Sequence, residues 1–201
     1  MRNTITAAAT LLLALGGCQK KEAAPPASAV DDTHPVVVLE TTKGRIVMEL
    51  DRTKAPQTVD NIVAHVEQHF YDGLIFHRVV QGFVDQTGML TADGHQRTSS
   101  APPVPNEADN GLKNVRGSVA LARTEDPNSG GVQFYVNVRD NPALDFKAKT
   151  VEGWGYCVFG RVTAGMDVVD AINALPTRPN EQPIQPVVIT RAYVDTTAAA
   201  P

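Results

Sequence analysis

The chain has 201 residues, of which 42% are hydrophobic and 20% charged, with a formal net charge of -4. That is enough chain for one domain with a sizeable core, and the composition is that of a globular protein. No Lys/Arg run stands out, so the electrostatic footprint of a nucleic-acid binder is missing.

The first residues, "MRNTITAAATLLLALGGCQK", hold a weak basic start, a short apolar run and then Gly16, Gly17 and Cys18. The run is about half a dozen residues too short to span a bilayer, and it reads as an export signal. Its ending resembles the bacterial lipoprotein signal, which implies that Cys18 is lipidated and becomes the new N-terminus. An ordinary cleaved signal with a chance cysteine is the alternative. The resemblance also implies that Gln19, rather than Asp, directs the protein to the outer membrane of a Gram-negative cell. Residues 19–34, rich in Ala, Pro and charge, are expected to be a flexible tether. The folded domain is expected over 35–195, and the tail 196–201 is expected to fray. With Cys18 lipidated, only Cys157 is left, so no intramolecular disulfide is expected. Cys157 lies in the apolar run "GYCVFG" and is expected to be a buried, inert thiol.

Within the domain, "VVVLETTKGRIVMEL" (36–50) predicts a hairpin. Ile46, Met48 and Leu50 alternate with Arg45, Val47 and Glu49, as in a half-buried strand. "APQTVDNIVAHVEQHFYDG" (55–73) predicts a helix. Pro56 suits its first turn, Val59, Ile62, Val63, Val66 and Phe70 form its apolar stripe, and Gly73 suits its stop. Strand-like runs follow at "LIFHRVV", "GFVDQTG", "GSVALAR", "VQFYVNV", "GYCVFGRV" and "QPVVITRAYV". A second helix, "AGMDVVDAINAL", precedes the last of these and is ended by Pro176. About eight strands and two helices predict a mostly β domain, a closed barrel with helix plugs, with a two-sheet sandwich as the alternative. The polar segment 90–117 is long enough to be functional or mobile.

Familiar chemistries fail one by one. His65 and His69 have metal-ligand spacing, but the order H-V-E-Q-H lacks the zinc-protease pattern and no further ligands are near, so a solvated helix face is expected. Ser118 lacks the nucleophile elbow, and "PNSGGVQ" lacks the lysine of a phosphate loop. No convincing acid-base pair is present, and no metal or cofactor is implied. One reaction needs none of these: rotation about an X-Pro bond. An arginine at the rim of a Phe-lined pocket, with a glutamine beside it, suits that reaction, and "FHRVVQGFVDQTG" (76–88) supplies Arg78, Phe83 and Gln86. An ordinary strand arginine turned to solvent is the alternative for that stretch alone.

"YDGLIFHRVVQGFVDQTG" resembles the signature of the cyclophilin family of peptidyl-prolyl cis-trans isomerases, in its bacterial periplasmic branch. The resemblance continues through "NEADNGLKNVRGSVALAR", "VQFYVNVRDNPALD", "GYCVFGRVTAGMDVV" and "PVVITRAYV". It implies an eight-stranded antiparallel closed barrel capped by two helices, a catalytic Arg78, a proline pocket walled by Phe83, Val84, Tyr135 and Leu144, a Gln86 that holds substrate backbone and a Gln133 that lines the site. It implies that the main chain of Ala122 pairs with substrate, that Tyr156 stands where many members have histidine, and that His77 packs rather than reacts. Ala143 departs from the family's common aromatic, Val84 from a methionine and Tyr135 from a phenylalanine, so weak cyclosporin binding is expected. The implied partners are proline-containing unfolded or partly folded polypeptides and a membrane met through the lipid anchor. The implied function is acceleration of X-Pro isomerisation in exported proteins as they fold. A catalytically weak proline-peptide binding module or holdase is the rival, and a donor aimed at the prolyl nitrogen argues against it.

Overall fold

The computed structural model describes residues 32–197. Cys18, the signal, most of the expected tether and the last four residues of the tail lie outside the described residues. Eight strands form one antiparallel sheet: β1 (Val36–Thr41), β2 (Gly44–Leu50), β3 (Arg78–Val80), β4 (Val84–Thr87), β5 (Ser118–Leu121), β6 (Phe134–Asn137), β7 (Val158–Ala164) and β8 (Ile189–Val194). Their spatial order is β3-β4-β6-β5-β7-β2-β1-β8. Two helices accompany them, α1 (Pro56–Glu67) and α2 (Met166–Asn173).

The expected closed barrel needs correction. The sheet curls, but its two end strands, β3 and β8, share no ladder. Only an isolated bridge, Ile75↔Val188, spans the gap. It is flanked by hydrogen bonds from Phe76 N to Val187 O (3.1 Å) and from Ile189 N to Leu74 O (2.8 Å). The chain entering β8 carries Pro183 and Pro186. These have no N–H to give, so a regular ladder cannot extend through them. A single sheet also rules out the two-sheet sandwich.

The two faces of the sheet bury different residues. Ile46, Met48 and Leu50 of β2 are fully buried, as their alternation predicts. Each such side chain contributes roughly 1.5–3 kcal/mol. They join Val119, Leu121, Phe134, Val136 and Phe159 in the main core. Ala120, Tyr135 and Val158, their neighbours along β5, β6 and β7, form a second, smaller cluster with Val84 of β4. Period-two alternation therefore sends one set inward and the other to the opposite face, where the candidate site lies.

α1 begins at Pro56 as expected, but it ends at Glu67, well before Gly73. His69 takes φ 56°, the left-handed conformation usually left to glycine. Phe70 N donates to His65 O at 2.9 Å and His69 N to Val66 O at 3.0 Å. That pair of bonds is a Schellman stop with histidine in the left-handed position. No side chain at Ala55 caps the start. Instead Glu107, from the long polar segment, accepts from Gln57 N at 3.1 Å, Thr58 N at 2.9 Å and the Thr58 hydroxyl at 2.8 Å. A distant carboxylate thus satisfies helix N–H groups that would otherwise be orphans.

His65 corrects another expectation. Only His69 lies on a solvated surface; His65 is buried, with Nδ1 bonded to Asn61 O at 2.7 Å and Nε2 to the Ser99 hydroxyl at 2.6 Å. Residues 32–34, expected in the tether, lie beside the domain, and Arg52 N donates to Thr33 O at 2.9 Å.

Candidate active site

Four residues stand in a row across the sheet. Arg78 of β3 is paired with Gln86 of β4, Gln86 with Tyr135 of β6, and Tyr135 with Ala120 of β5. The tight turn Phe83 N to Val80 O (2.9 Å) folds β4 back on β3 and holds Phe83 between the two strands. Gly88 lets β4 leave the sheet close to its neighbour: its φ is 101°, and a Cβ there would lie 2.5 Å from Val132 O.

The row opens into a hollow of about 310 Å³ lined by Arg78, Phe83, Val84, Gln86, Ala122, Arg123, Tyr135, Leu144 and Tyr156. Val84 and Tyr135 form its buried floor. Phe83, Leu144 and Tyr156 are half-buried walls. The Tyr135 and Tyr156 rings meet edge to face, with centroids 5.8 Å apart. Eight of the nine sequence-predicted site residues in the domain line this hollow. Gln133 does not; it lines the adjoining, larger hollow of about 460 Å³, which Gln86, Ala122 and Arg123 share. The two glutamines join the hollows, with Gln86 Nε2 donating to Gln133 Oε1 at 3.0 Å.

Two cations, Arg78 and Arg123, line the hollow. Arg78 Nη1 reaches Gln86 Oε1 at 3.4 Å, and its Nε donates to Glu181 Oε2 at 2.6 Å. The side chain is 38% exposed, at the lip rather than the floor. Beside it in the chain, His77 is 7% exposed. Burial, with the neighbouring Arg78 charge, holds its imidazole down at about 4, so it is neutral at physiological pH. Burial pushes the Tyr135 hydroxyl far above its ordinary range, and that hydroxyl donates to Asn114 Oδ1 at 3.0 Å. Burial likewise pushes the Cys157 thiol up to about 12, which keeps it protonated and unreactive. Ala122 N donates to Gln133 O at 2.9 Å, which ties the segment after β5 to the start of β6.

Three participants were not found in the sequence. Arg123 lies over Tyr156, with its guanidinium carbon 4.7 Å from the ring centroid, and donates from Nε to Gly155 O at 2.7 Å. Asn114 holds the Tyr135 hydroxyl. Glu181 holds Arg78 from a turn more than a hundred residues further along the chain. None of the three has a local sequence signal, because each acts through a contact made only in the fold.

Taken together, an apolar floor, amide groups on one side and a cationic donor at the lip can grip a ring and present hydrogen bonds to a flexible chain. Comparison with known proteins agrees. The family model "Cyclophilin type peptidyl-prolyl cis-trans isomerase/CLD" matches residues 36–194. The peptidyl-prolyl cis-trans isomerase cyp18 of Streptomyces antibioticus is 51% identical over 162 residues, covering 79% of this chain and 97% of that protein. Isomerase B of Escherichia coli K12 is 45% identical over 142 residues, covering 71% and 86%. Isomerase A of Dickeya dadantii is 43% identical over 174 residues, covering 85% and 88%. In fold, the chain is similar to a Cryptosporidium parvum cyclophilin type isomerase crystallised in the presence of the dipeptide Ala-Pro. The TM-score is 0.66 at 23% identity, over 80% of this chain and 98% of that one. The chain belongs to the family of cyclophilin-type peptidyl-prolyl cis-trans isomerases.

Proposed function

We propose that this isomerase works in the cell envelope, anchored by a lipid on Cys18, and speeds X-Pro isomerisation in exported proteins as they fold. The isomerase activity follows from the family and from relatives of that name at 43–51% identity. The uncatalysed barrier is roughly 18–20 kcal/mol, because amide resonance must be broken. As the bond twists, the prolyl nitrogen regains its lone pair. A donor aimed at that nitrogen stabilises the twisted form more than either planar one. Arg78 is assigned this role, with Phe83, Val84, Tyr135 and Leu144 holding the ring, and Gln86, Gln133, Ala122 and Tyr156 holding the flanking chain. The observation that carries the assignment is the guanidinium at the lip of the apolar hollow. No proton is transferred, so no acid-base pair is needed.

The envelope setting rests on the run ending Gly16-Gly17-Cys18-Gln19, in the manner of a bacterial lipoprotein signal, on the Pro- and Ala-rich stretch after it and on the domain's likeness to the bacterial periplasmic branch of the family. Gln19 favours the outer membrane. A proline-limited refolding assay tests the activity. Acceleration is expected; binding of a proline peptide without acceleration would instead make this a binding module or holdase.

A further inference from the structure

Glu181 sits in the turn 177–183, which the mechanism above does not use. This turn is held by Glu181 N to Arg178 O (2.9 Å), Arg178 N to Gln182 O (2.8 Å) and the Thr177↔Pro183 bridge. It is fixed to β3 beside the site: Val79 N donates to Glu181 O at 2.7 Å. Glu181 adopts φ 64°, a left-handed conformation that favours glycine. A non-glycine residue kept there points to a use for its side chain. That side chain receives Arg78 Nε at 2.6 Å, the shortest hydrogen bond Arg78 makes.

We propose that Glu181 is a positioning residue for Arg78. A guanidinium has five N–H donors in a fixed plane. Glu181 takes the Nε donor and Gln86 takes one on Nη1. Two anchors on a rigid fork fix its plane and leave three donors, on Nη1 and Nη2, for the substrate. The Gln86 contact, at 3.4 Å, is too long to fix the plane alone. Without Glu181 the side chain would sample its many rotamers, and ordering it would fall on the reacting complex. The backbone tie from Val79 to Glu181 makes the spacing of carboxylate and guanidinium a property of the fold rather than of two free surface side chains.

This inference rests on the role assigned to Arg78, and the test separates the two. NMR exchange measurements on a short proline peptide give the isomerisation rate in the bound state apart from the dissociation constant. Glycine suits φ 64°, so Glu181→Gly should fold at least as well as the wild type. It should slow bound-state isomerisation by roughly three- to tenfold while changing Kd less than about twofold. Glu181→Gln keeps an acceptor and should fall between the two; a glutamine variant as slow as glycine would count against positioning through this bond. In an Arg78→Ala background, Glu181→Gly should change nothing further. Wild-type turnover by Glu181→Gly, or equal slowing in both backgrounds, overturns the proposal while leaving Arg78 its role. Full activity of Arg78→Ala would remove that role and the inference with it.

Discussion

Arg78 and Gln86 face each other across the β3–β4 ladder, and Arg78 Nη1 approaches Gln86 Oε1 at 3.4 Å. Two strands joined by a tight turn thus place a cation and a neutral amide side by side at the lip of an apolar hollow. The pairing register decides this, since a slip of one residue would turn Gln86 to the opposite face.

Arg78→Ala is expected to fold normally and to lose activity. The side chain is 38% exposed and that of its partner Glu181 44%, so its removal leaves no buried orphan charge. Loss of one preorganised donor to a transition state should cost on the order of 10²–10³ in rate, by analogy with oxyanion-hole deletions. Arg78→Lys should not restore it, because an ammonium lacks the planar fork. Near-normal catalytic efficiency of Arg78→Ala in a peptide isomerisation assay would show that the rate enhancement has another source.

Asp85 lies between Val84 and Gln86 but points to the other face, fully buried. Asn173 Nδ2 donates to its Oδ1 at 2.7 Å, while Oδ2 has no partner. Burial raises its pKa from 3.8 to about 7, the nearby Asp170 charge adds to the rise, and the Asn173 bond opposes it. The sign follows from proton counts. Between about pH 4 and 7 the unfolded chain has released this proton and the folded chain has kept it. Stability from this group is therefore complete below pH 4, falls as pH rises towards 7 and is level above. The total change is on the order of a few kcal/mol. Denaturant unfolding across this pH range should show Asp85→Asn gaining stability relative to the wild type as pH rises. A difference that stays constant with pH would mean Asp85 titrates normally.

Glu107→Ala should destabilise the domain through α1. It removes the acceptor of three hydrogen bonds at the helix start, where no local residue caps. A lost cap of this kind costs about 0.5–2 kcal/mol. Glu107→Gln should lose less, because one acceptor oxygen remains. An unchanged midpoint in chemical denaturation for the alanine variant would show that water replaces the carboxylate at no cost.

Cys18→Ser is expected to release the protein from the membrane and leave isomerase activity intact. Each buried lipid methylene contributes roughly 0.8 kcal/mol of membrane affinity. Fractionation of cells tests the release. A serine variant that still pellets with membranes would point to another attachment, and failure of labelled fatty acid to enter the wild type would remove the anchor.

Ala143→Trp should strengthen cyclosporin binding. Ala143 is exposed between Pro142 and Leu144, next to the hollow but not lining it. An aromatic side chain there can pack on a ligand that overhangs the rim. The expected gain is about tenfold or more, after the cost of ordering the ring. Activity on small peptides should change little. Equal affinity of both forms, or tight binding by the wild type, would mean that this position does not meet the drug.

Much of this was legible from residue order alone. Alternation in β2, the second helix ended by Pro176 and the run 76–88 are local patterns, and local geometry follows from residues a few positions apart. The tertiary structure decided the rest. α1 ends at Glu67 because two backbone bonds close over the left-handed His69, where periodicity ran on to Gly73. His65 is buried because Ser99, from a segment with no pattern of its own, covers it. The sheet stays open because β3 and β8 share no ladder, and the isolated bridge Ile75↔Val188 joins only the segments that lead into them. Glu107 caps a helix 49 residues away, and Glu181 meets an arginine 103 residues away. Such contacts leave no periodic trace in the sequence, because their energy is realised only after chain entropy has been overcome and distant segments have come together.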